Sequence, residues 1–310
     1  LISLFMRIIG LCTVKNEGDI IYQCLEHSAG IYDIIFVTDN ESWDNSREEI
    51  QRASTDFQNV LYLGEVGDKV SKEVKWQIWE TFRGHFSIND WWGILDADEF
   101  VEPGLRDVVR TANREWADHI FAVMANFYYT ESEVEDWMEG RETLADRKRP
   151  IQERRKYYRM HTTQPRLFRN LPWIRWNEDT NYPPYLSRRA SEPAIYRHYQ
   201  YRDVPQVKLR VETRSQPGIA EKEYDQNPHW DRTEWRESIS PDDDPYLIKH
   251  ESGQPLQRCP TFDGIPPQSS LAKGFAKYVR AILHGVTNRQ RGAKLLRDID
   301  SLNVLHNALR

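Results

Sequence analysis

Two carboxylates, Asp96 and Asp98, follow the apolar run Trp91–Leu95 at a spacing of two residues. Side chains alternate along an extended chain, so this spacing places both carboxylates on the same side of it. Such a pair repels itself unless a cation lies beside it. Mg²⁺ and Mn²⁺ prefer carboxylate and phosphate oxygens, so the pattern predicts a divalent cation that is bound to a diphosphate. The alternative for an isolated Asp-x-Asp is an acidic strand end that water solvates.

Polar residues also follow two earlier apolar runs, Ile8–Val14 and Ile34–Thr38. Ligands of open parallel sheets bind beyond the carboxyl ends of the strands, so these polar residues are candidates to share one site with the two carboxylates. Those at the end of the first run are Thr13, Lys15, Asn16, Glu17 and Gly18, and those after the second run extend from Asp39 to Ser46.

Short apolar runs alternate with helical stretches over the first 130 residues. This alternation predicts βαβ units with right-handed crossovers. The fold class is therefore α/β, with a mostly parallel open sheet flanked by helices. The predicted strands are Ile8–Val14, Ile34–Thr38, Val60–Leu63, Trp92–Leu95 and Ile120–Phe127, and the predicted helices are Asp19–Ser28 (ended by Gly30), Asp44–Ala53 and Lys69–Phe82.

These motifs together resemble the family 2-type nucleotide-sugar glycosyltransferases, whose fold is called GT-A. The resemblance covers residues 7–130 and rests on three segments in the family's order, with a late histidine segment as a further match. The three segments are Val14–Glu17, Val37–Ser42 with Asp44–Ser46, and Leu95–Phe100, and the histidine segment is Ile195–Tyr199. The second segment departs from many relatives, which have two adjacent Asp and a Gly there.

The resemblance implies a nucleoside diphosphate sugar as donor and Mn²⁺ or Mg²⁺ as cofactor. It implies that Asp98 ligates the metal, that His198 completes the coordination, and that Asp96 faces the ribose, the metal or a metal-bound water. The alternative for His198 is a structural histidine. The residues expected against the nucleotide are Thr13, Lys15, Asn16, Glu17 and Asp39, and either Lys72 or Lys75 is expected to add a fixed positive charge, with a solvated helix face as the alternative for both.

Family 2 enzymes invert the anomeric carbon, which requires a carboxylate to take the proton from the acceptor hydroxyl. The adjacent residues Glu178 and Asp179 resemble the Glu-Asp pair of some relatives, and Asp179 is the first candidate for the base. Glu99 competes with it.

The resemblance also divides the chain. We expect a GT-A domain over residues 6–215, with a nucleotide-sugar half at 6–130 and an acceptor half at 131–215. An irregular linker is predicted at 216–268 and a basic helical extension at 269–310. Residues 141–159 hold eight Lys/Arg against three Asp/Glu and are predicted to follow a helix as a loop. This basic loop is expected to close over the diphosphate or to bind an anionic acceptor.

The C-terminal 41 residues hold eight Lys/Arg and two Asp/Glu. These basic helices are expected to dock on an anionic membrane surface, where lipid-linked acceptors reside, or else to be solvated helix faces. Carbohydrate or lipid-linked acceptors are therefore the expected second substrates.

Composition excludes several classes of protein. The formal net charge is −6, which argues against a nucleic-acid-binding protein. No segment approaches the roughly 18 uncharged apolar residues of a membrane span. Three cysteines are too few and too scattered for a disulfide framework or a zinc site, so a cytoplasmic protein is expected. Met6 resembles the natural start, with residues 1–5 as an addition.

The sequence thus predicts an inverting, metal-dependent glycosyltransferase of the hexosyltransferase type, with a UDP-sugar as the favoured donor. Two alternatives stay open. A metal-dependent phosphohydrolase or nucleotidyltransferase requires either a nucleophilic Asp on the first strand or a Gly-rich basic loop, and neither is found. A non-catalytic carbohydrate-binding scaffold would keep the fold without turnover.

Overall fold

The computed structural model of the chain describes residues 6–67, 71–214, 234–251 and 253–257. They form one mixed sheet with helices on both faces. The strands are β1 (Ile8–Val14), β2 (Ile34–Asp39), β3 (Val60–Glu65), β4 (Trp91–Leu95), β5 (Glu99–Val101), β6 (His119–Tyr128), β7 (Tyr157–Arg169), β8 (Ala194–His198) and β9 (Ile248–Lys249). The helices are α1 (Ile21–Ala29), α2 (Ser46–Asp56), α3 (Ser71–Phe82), α4 (Leu105–Arg114), α5 (Glu131–Met138), α6 (Ile151–Arg154) and α7 (Val204–Arg214).

The strand order is β3-β2-β1-β4-β7-β6-β8-β5, and β9 pairs with β7. Strands β1 to β4 are parallel, as their alternation with helices predicts. The long strand β7 runs antiparallel to both β4 and β6, and β8 runs parallel to β6 but antiparallel to β5. The predicted α/β class, with an open sheet flanked by helices as in the GT-A fold, is confirmed.

The alternation of side chains along β1 divides the core between the two faces of the sheet. Ile8 and Cys12 belong to a cluster that includes residues of α1, α2 and α4, whereas Ile9 and Leu11 belong to a second cluster that includes residues of α3. Because both faces are covered, β1 and β2 are almost continuously apolar.

Gly93, in the middle of β4, makes room for a buried tyrosine. A Cβ atom at this position would lie 2.9 Å from the ring of Tyr32, which is closer than two carbon atoms can approach. The hydroxyl groups of Tyr32 and Tyr196 lie 3.1 Å apart, so the ring joins the first half of the sheet to β8.

One local prediction is wrong. The basic loop 141–159 is not free to close over a ligand, because Arg154 and Arg155 are buried in ion pairs with Glu142. The helix predicted before this loop is α5 (Glu131–Met138). The last residues of the predicted loop belong to β7.

The predicted linker at 216–268 is described only in part. Its described residues include a short 3-10 helix at Trp235–Ser238 and strand β9, which pairs with β7. The predicted basic extension at 269–310 lies outside the described residues. None of the helices in the described ranges has the length and apolar character needed to cross a bilayer.

Candidate active site

The loops after β1 and β2 are clasped together at the carboxyl edge of the sheet. The backbone N–H of Glu17 donates to the hydroxyl of Ser46 at 2.8 Å, and that of Gly18 donates to Asp44 at 3.0 Å. A Cβ atom on Gly18 would lie 2.8 Å from the backbone nitrogen of Ser46, so only glycine permits this close approach. Asp44 also accepts from the N–H of Ser46 at the start of α2.

Asn16 joins this clasp to α7. It has a φ of 56°, in the left-handed region that Asn tolerates better than most residues. Its side-chain oxygen accepts from the backbone N–H of Trp43 at 2.9 Å, and its amide nitrogen donates to the hydroxyl of Thr213 at 3.0 Å. Lys15 donates to the carbonyl of Asn40 at 3.1 Å and lies 5.6 Å from the Trp43 ring centroid.

Strand pairing brings His198 beside the acidic segment that follows β4. In the antiparallel pair of β5 and β8, Glu99 lies opposite His198, and the N–H of Tyr199 donates to the carbonyl of Asp98 at 2.9 Å. As a result, Nε2 of His198 lies 3.4 Å from Oδ2 of Asp98. The other ring nitrogen, Nδ1, lies 2.8 Å from Oδ1 of Asn126.

Asn126 decides which imidazole nitrogen faces Asp98. Its amide nitrogen lies 2.9 Å from the hydroxyl of Thr162 and its oxygen faces Nδ1 of His198, from which it accepts a hydrogen bond when that nitrogen carries the proton. In the neutral ring with this tautomer Nε2 carries the lone pair, whereas the protonated ring donates from Nε2 to Asp98 and so lowers the pKa of that carboxyl. This arrangement is the one by which protein groups usually orient metal-binding histidines.

Two arginines approach the same oxygen of Asp98 that faces His198. Arg202 is fully buried, forms a bidentate pair with Asp19 at 2.7 and 2.8 Å, and also donates to Glu17. Its Nη1 lies 3.8 Å from Oδ2 of Asp98. Arg210, on α7, lies 3.4 Å from the same oxygen and 3.7 Å from Glu17. Three carboxylates therefore face two guanidinium groups.

These neighbours set the charge of the site. Burial by itself would raise the pKa of Asp98, but His198, Arg210 and Arg202 together hold it well below its usual range. Burial raises the pKa of Glu17 to about 7, against the attraction of Arg202. Asp98 is therefore ionised at neutral pH, although it is buried and its Oδ2 already faces three basic side chains.

Asp96 lies in a second charged group. Its two oxygens contact Nζ of Lys75 at 2.7 Å and Nη2 of Arg166 at 2.9 Å, and Arg166 also pairs with Glu99. Burial would raise the pKa of Asp96, but Lys75 and Arg166 hold it well below its usual range. The side chain of Asp96 is 38% exposed, whereas that of Lys75 is almost buried.

The donor atoms at Asp98 and His198 fit a divalent cation that takes its other ligands from a substrate. Neighbouring ligands of an octahedral ion bound at about 2.1 Å lie about 3 Å apart, close to the observed separation. No group of three or more acidic, histidine or cysteine side chains able to hold a metal occurs within the described ranges. The pair therefore suits Mg²⁺ or Mn²⁺, which bind through one or two protein ligands plus phosphate oxygens.

The other residues predicted to bind the nucleotide are Thr13 and Asp39 at strand ends and Lys72 on α3. Thr13 is half-buried, and its hydroxyl lies 3.3 Å from that of Thr38. Asp39 is fully buried: Oδ2 accepts from the N–H of Ser42, and Oδ1 has no hydrogen-bond partner in the structure. Asp39 therefore exposes no atom to a base in this structure. Lys72 is half-buried in the first turn of α3, and Lys75, one turn later, reaches Asp96.

The candidate bases differ in exposure. Asp179 is exposed and accepts from the amide of Asn177 at 3.0 Å, and Glu178 is half-buried. Glu99 is fully buried and paired with Arg166, and burial raises its pKa to about 7. A general base must come within hydrogen-bond distance of the acceptor hydroxyl, and Asp179 is the most exposed of the three carboxyl groups.

The sequence analysis missed the residues that surround the two aspartates. Arg166 comes from β7, Arg202 from the segment after β8, Arg210 from α7 and Asn126 from β6. None lies near Asp96 or Asp98 in the sequence. The signal for Arg202 was its position four residues after His198, but a lone arginine carries no spacing that indicates its partners.

Comparison with known proteins gives distant structural similarity only. No protein-family model and no curated protein matches the chain. Among solved structures, a mannosyltransferase from Pyrobaculum calidifontis in complex with GDP-mannose and Mn²⁺ is 15% identical, with a TM-score of 0.35, over 68% of this chain and 61% of its own. TarS from S. aureus (residues 1–349) is 11% identical, with a TM-score of 0.34, over 70% and 68%.

A third match is the mannose-6-phosphate isomerase from Helicobacter pylori. It is 9% identical, with a TM-score of 0.28, and covers 39% of this chain. This chain spans about half of that enzyme's length, 51%. Similarity at these levels assigns the chain to no family.

Proposed function

We propose that this protein is an inverting, metal-dependent glycosyltransferase of the family 2 type. It transfers a hexose from a nucleoside diphosphate sugar, with a UDP-sugar as the first donor to test, to the hydroxyl of a carbohydrate or lipid-linked acceptor. The GT-A-like sheet supports this proposal, because its carboxyl edge gathers the loops after β1, β2 and β4.

The pair formed by Asp98 and His198 is the single observation that carries the proposal. Oδ2 of Asp98 and Nε2 of His198 lie 3.4 Å apart, and Nδ1 of the ring faces the oxygen of Asn126. With the imidazole neutral, the carboxylate and Nε2 are both suitable ligands for one divalent cation. Asp98 and His198 are the residues that would hold Mn²⁺ or Mg²⁺, with Asp96 beside them.

The metal, when bound, would act as a Lewis acid that neutralises the negative charge of the departing diphosphate. The chain itself adds fixed positive charge close by. Lys75 and Arg166 lie on either side of Asp96, and Arg202 lies behind Asp98. Because these cations are held in place by buried pairs, they need no reorganisation as the charge develops.

The proton of the acceptor hydroxyl needs a base that the acceptor can reach. Asp179 is the candidate that we favour, because it is exposed, with Glu178 as its neighbour. Glu99 is disfavoured because it is fully buried. Glu99 instead pairs with Arg166 and so helps to hold that guanidinium against Asp96.

The nucleotide half of the site is proposed to consist of the clasped loops. The loop after β1 contains Lys15, Asn16 and Glu17. The side chain of Asn16 accepts a hydrogen bond from the N–H of Trp43, in the loop after β2. Thr13 and Asp39 lie deeper, and Lys72 lies at the start of α3.

The proposal is tested by measuring the release of UDP from several UDP-sugars, with Mn²⁺ and with EDTA. We expect metal-dependent release that Asp98→Ala abolishes while the variant stays folded. Asp107→Ala is the matched control, because Asp107 is exposed on α4 and pairs only locally with Arg110. Cleavage of the UDP-sugar to UMP and sugar 1-phosphate indicates a phosphohydrolase, and release of pyrophosphate from UTP and sugar 1-phosphate indicates a nucleotidyltransferase. Binding without turnover indicates a scaffold.

A further inference from the structure

The middle of strand β7 is polar and accessible to solvent, although β7 lies between β4 and β6 in the sheet. Residues 161–165, which we call the polar segment of β7, are exposed or half-buried, whereas Met160 and Arg166 on either side of it are buried. A strand that is covered on both faces is apolar along almost its whole length. The polar segment is therefore a part of the sheet that a ligand can reach.

Two β-bulges bound the polar segment. The pairing of β7 with β6 skips Arg166 at one end of the segment and His161 at the other. Bulges are frequent beside active sites, where they re-aim side chains or end the pairing of a strand. On the opposite edge of β7, β4 pairs with residues 167–169 and β9 with residues 157–158, so none of the described strands pairs with the polar segment on that edge.

The polar segment contacts the proposed metal ligands at one end. Between the bulges the pairing is regular, so Thr162 and Gln164 lie on the same face of the sheet. The hydroxyl of Thr162 lies 2.9 Å from the amide nitrogen of Asn126, whose oxygen faces Nδ1 of His198. Thr162 and Gln164 therefore share the face on which His198 lies.

The other end of the polar segment contacts the charged group around Asp96. The amide oxygen of Gln164 accepts from Nε and Nη2 of Arg166 at 3.2 and 2.7 Å, and Nη2 of Arg166 lies 2.9 Å from Asp96. The oxygen must be the atom that faces the guanidinium, because an N–H₂ group in its place would meet only donors. The polar segment thus extends from the Asp96 group to the residues that orient His198.

Resting on the proposed function, we propose that the polar segment of β7 binds the hexose of the donor and that Gln164 determines which hexose is accepted. The hexose is bonded to the diphosphate, and both ends of the segment contact groups assigned to the diphosphate and its cation. A hexose presents hydroxyl groups that donate and accept hydrogen bonds. The hydroxyl of Thr162 and the amide of Gln164 can do both as well.

The proposal predicts different effects on two ligands that differ only in the sugar. Gln164→Ala should weaken the binding of the UDP-hexose that the wild type prefers by about tenfold, the effect of one lost hydrogen bond, and leave the affinity for UDP unchanged. The preference among UDP-glucose, UDP-galactose and UDP-N-acetylglucosamine should also decrease, because hydrogen bonds to hydroxyl groups are what distinguishes such sugars.

Thr163→Ala is the matched control. Thr163 is the preceding residue of the same strand and is also half-buried, but the alternation of side chains places it on the opposite face, where it pairs with Val123. It should bind UDP and the three UDP-sugars as the wild type does. Binding is measured by calorimetry in the presence of saturating Mn²⁺, and thermal unfolding checks that each variant is folded. Gln164→Met, which keeps the length of the side chain without its amide, replaces Gln164→Ala if that variant does not fold.

The comparison of UDP with UDP-hexose decides the outcome. An equal loss of affinity for both ligands overturns the proposal, because Gln164 then acts through Arg166 and not on the sugar. Unchanged affinities for both ligands also overturn it, since the polar segment then does not bind the donor hexose. A wild type that binds neither UDP nor any of the three UDP-sugars contradicts the proposed function, and this proposal fails with it.

Discussion

Oδ2 of Asp98 and Nε2 of His198 lie 3.4 Å apart, although the two residues are 100 positions apart in the sequence. The antiparallel pair of β5 and β8 brings them together, because Glu99 lies opposite His198. Asn126 fixes the ring from the other side. The three residues therefore come from separate elements. Asp98 lies just before β5, His198 ends β8 and Asn126 lies in β6.

Asn126→Ala should weaken Mn²⁺ binding by about 10- to 100-fold, the usual effect of losing a group that orients a metal-binding histidine. The measurement is a Mn²⁺ titration in the presence of UDP. Asn59→Ala is the control, because Asn59 also donates two part-buried hydrogen bonds, to the carbonyls of Ala29 and Tyr32, but lies before the first residue of β3, at the end of the strand away from the site. Equal Mn²⁺ affinities in the two variants would show that Asn126 does not orient His198 for metal binding.

Lys75→Met should reduce the affinity for UDP with Mn²⁺ by about tenfold, because a fixed positive charge beside Asp96 is lost. Arg166 remains as the other partner of Asp96. Lys148→Met, at an exposed position, is the control for net charge. If both variants bind UDP as the wild type does, the charged group around Asp96 does not contribute to donor binding.

Asp179→Asn should lower kcat for transfer by about 10²- to 10⁴-fold, the usual contribution of a general base, and leave the affinity for the donor unchanged. Glu178→Gln is the comparison, since it removes the neighbouring carboxylate. A loss of kcat in Glu178→Gln alone assigns the base to Glu178. Wild-type transfer by both variants contradicts the assignment of the base to this loop.

Asp203 should make folding stability depend on acid pH. Its carboxylate accepts from both Arg147 and Arg154. Burial would raise the pKa of Asp203, but Arg147, the N–H of Gln206 and Arg154 lower it to about 2. A carboxyl group whose pKa is lower in the folded state stabilises the protein above its unfolded pKa of about 3.9, and this contribution is lost as the pH falls toward 2.

The contribution of Asp203 above pH 4 is about 2 kcal/mol. Urea unfolding at pH 6, 4 and 3 measures it as the loss of unfolding free energy with falling pH. Asp203→Asn should be less stable at pH 6 and show a shallower loss, whereas Asp107→Asn, in an exposed pair, should follow the wild type. An identical pH dependence in wild type and Asp203→Asn would show that this ion pair does not stabilise the fold.

The first half of the fold was predictable from the sequence because its elements carry local signals. Strand β1 was predicted at its observed bounds, and Gly30 ends α1 as expected. Strands β2 and β3 extend one and two residues further than predicted. Each of these strands is apolar on both faces, which is the strongest pattern that a parallel sheet leaves in a sequence.

The second half was less predictable because long-range pairing determines it. Strand β7 contains polar residues such as Thr162 and Gln164, and its pairing with both β4 and β6 has no local signal. Arg154 and Arg155 were interpreted as a basic loop because sequence alone does not show that Glu133, Glu142 and Asp203 surround them.

A crystal structure with Mn²⁺ and UDP tests the central claim most directly. We predict an anomalous Mn²⁺ peak within about 2.0–2.6 Å of both Oδ2 of Asp98 and Nε2 of His198, with the diphosphate of UDP on the same ion. A crystal in which UDP is bound while the Mn²⁺ peak is absent, or lies away from both side chains, contradicts the account.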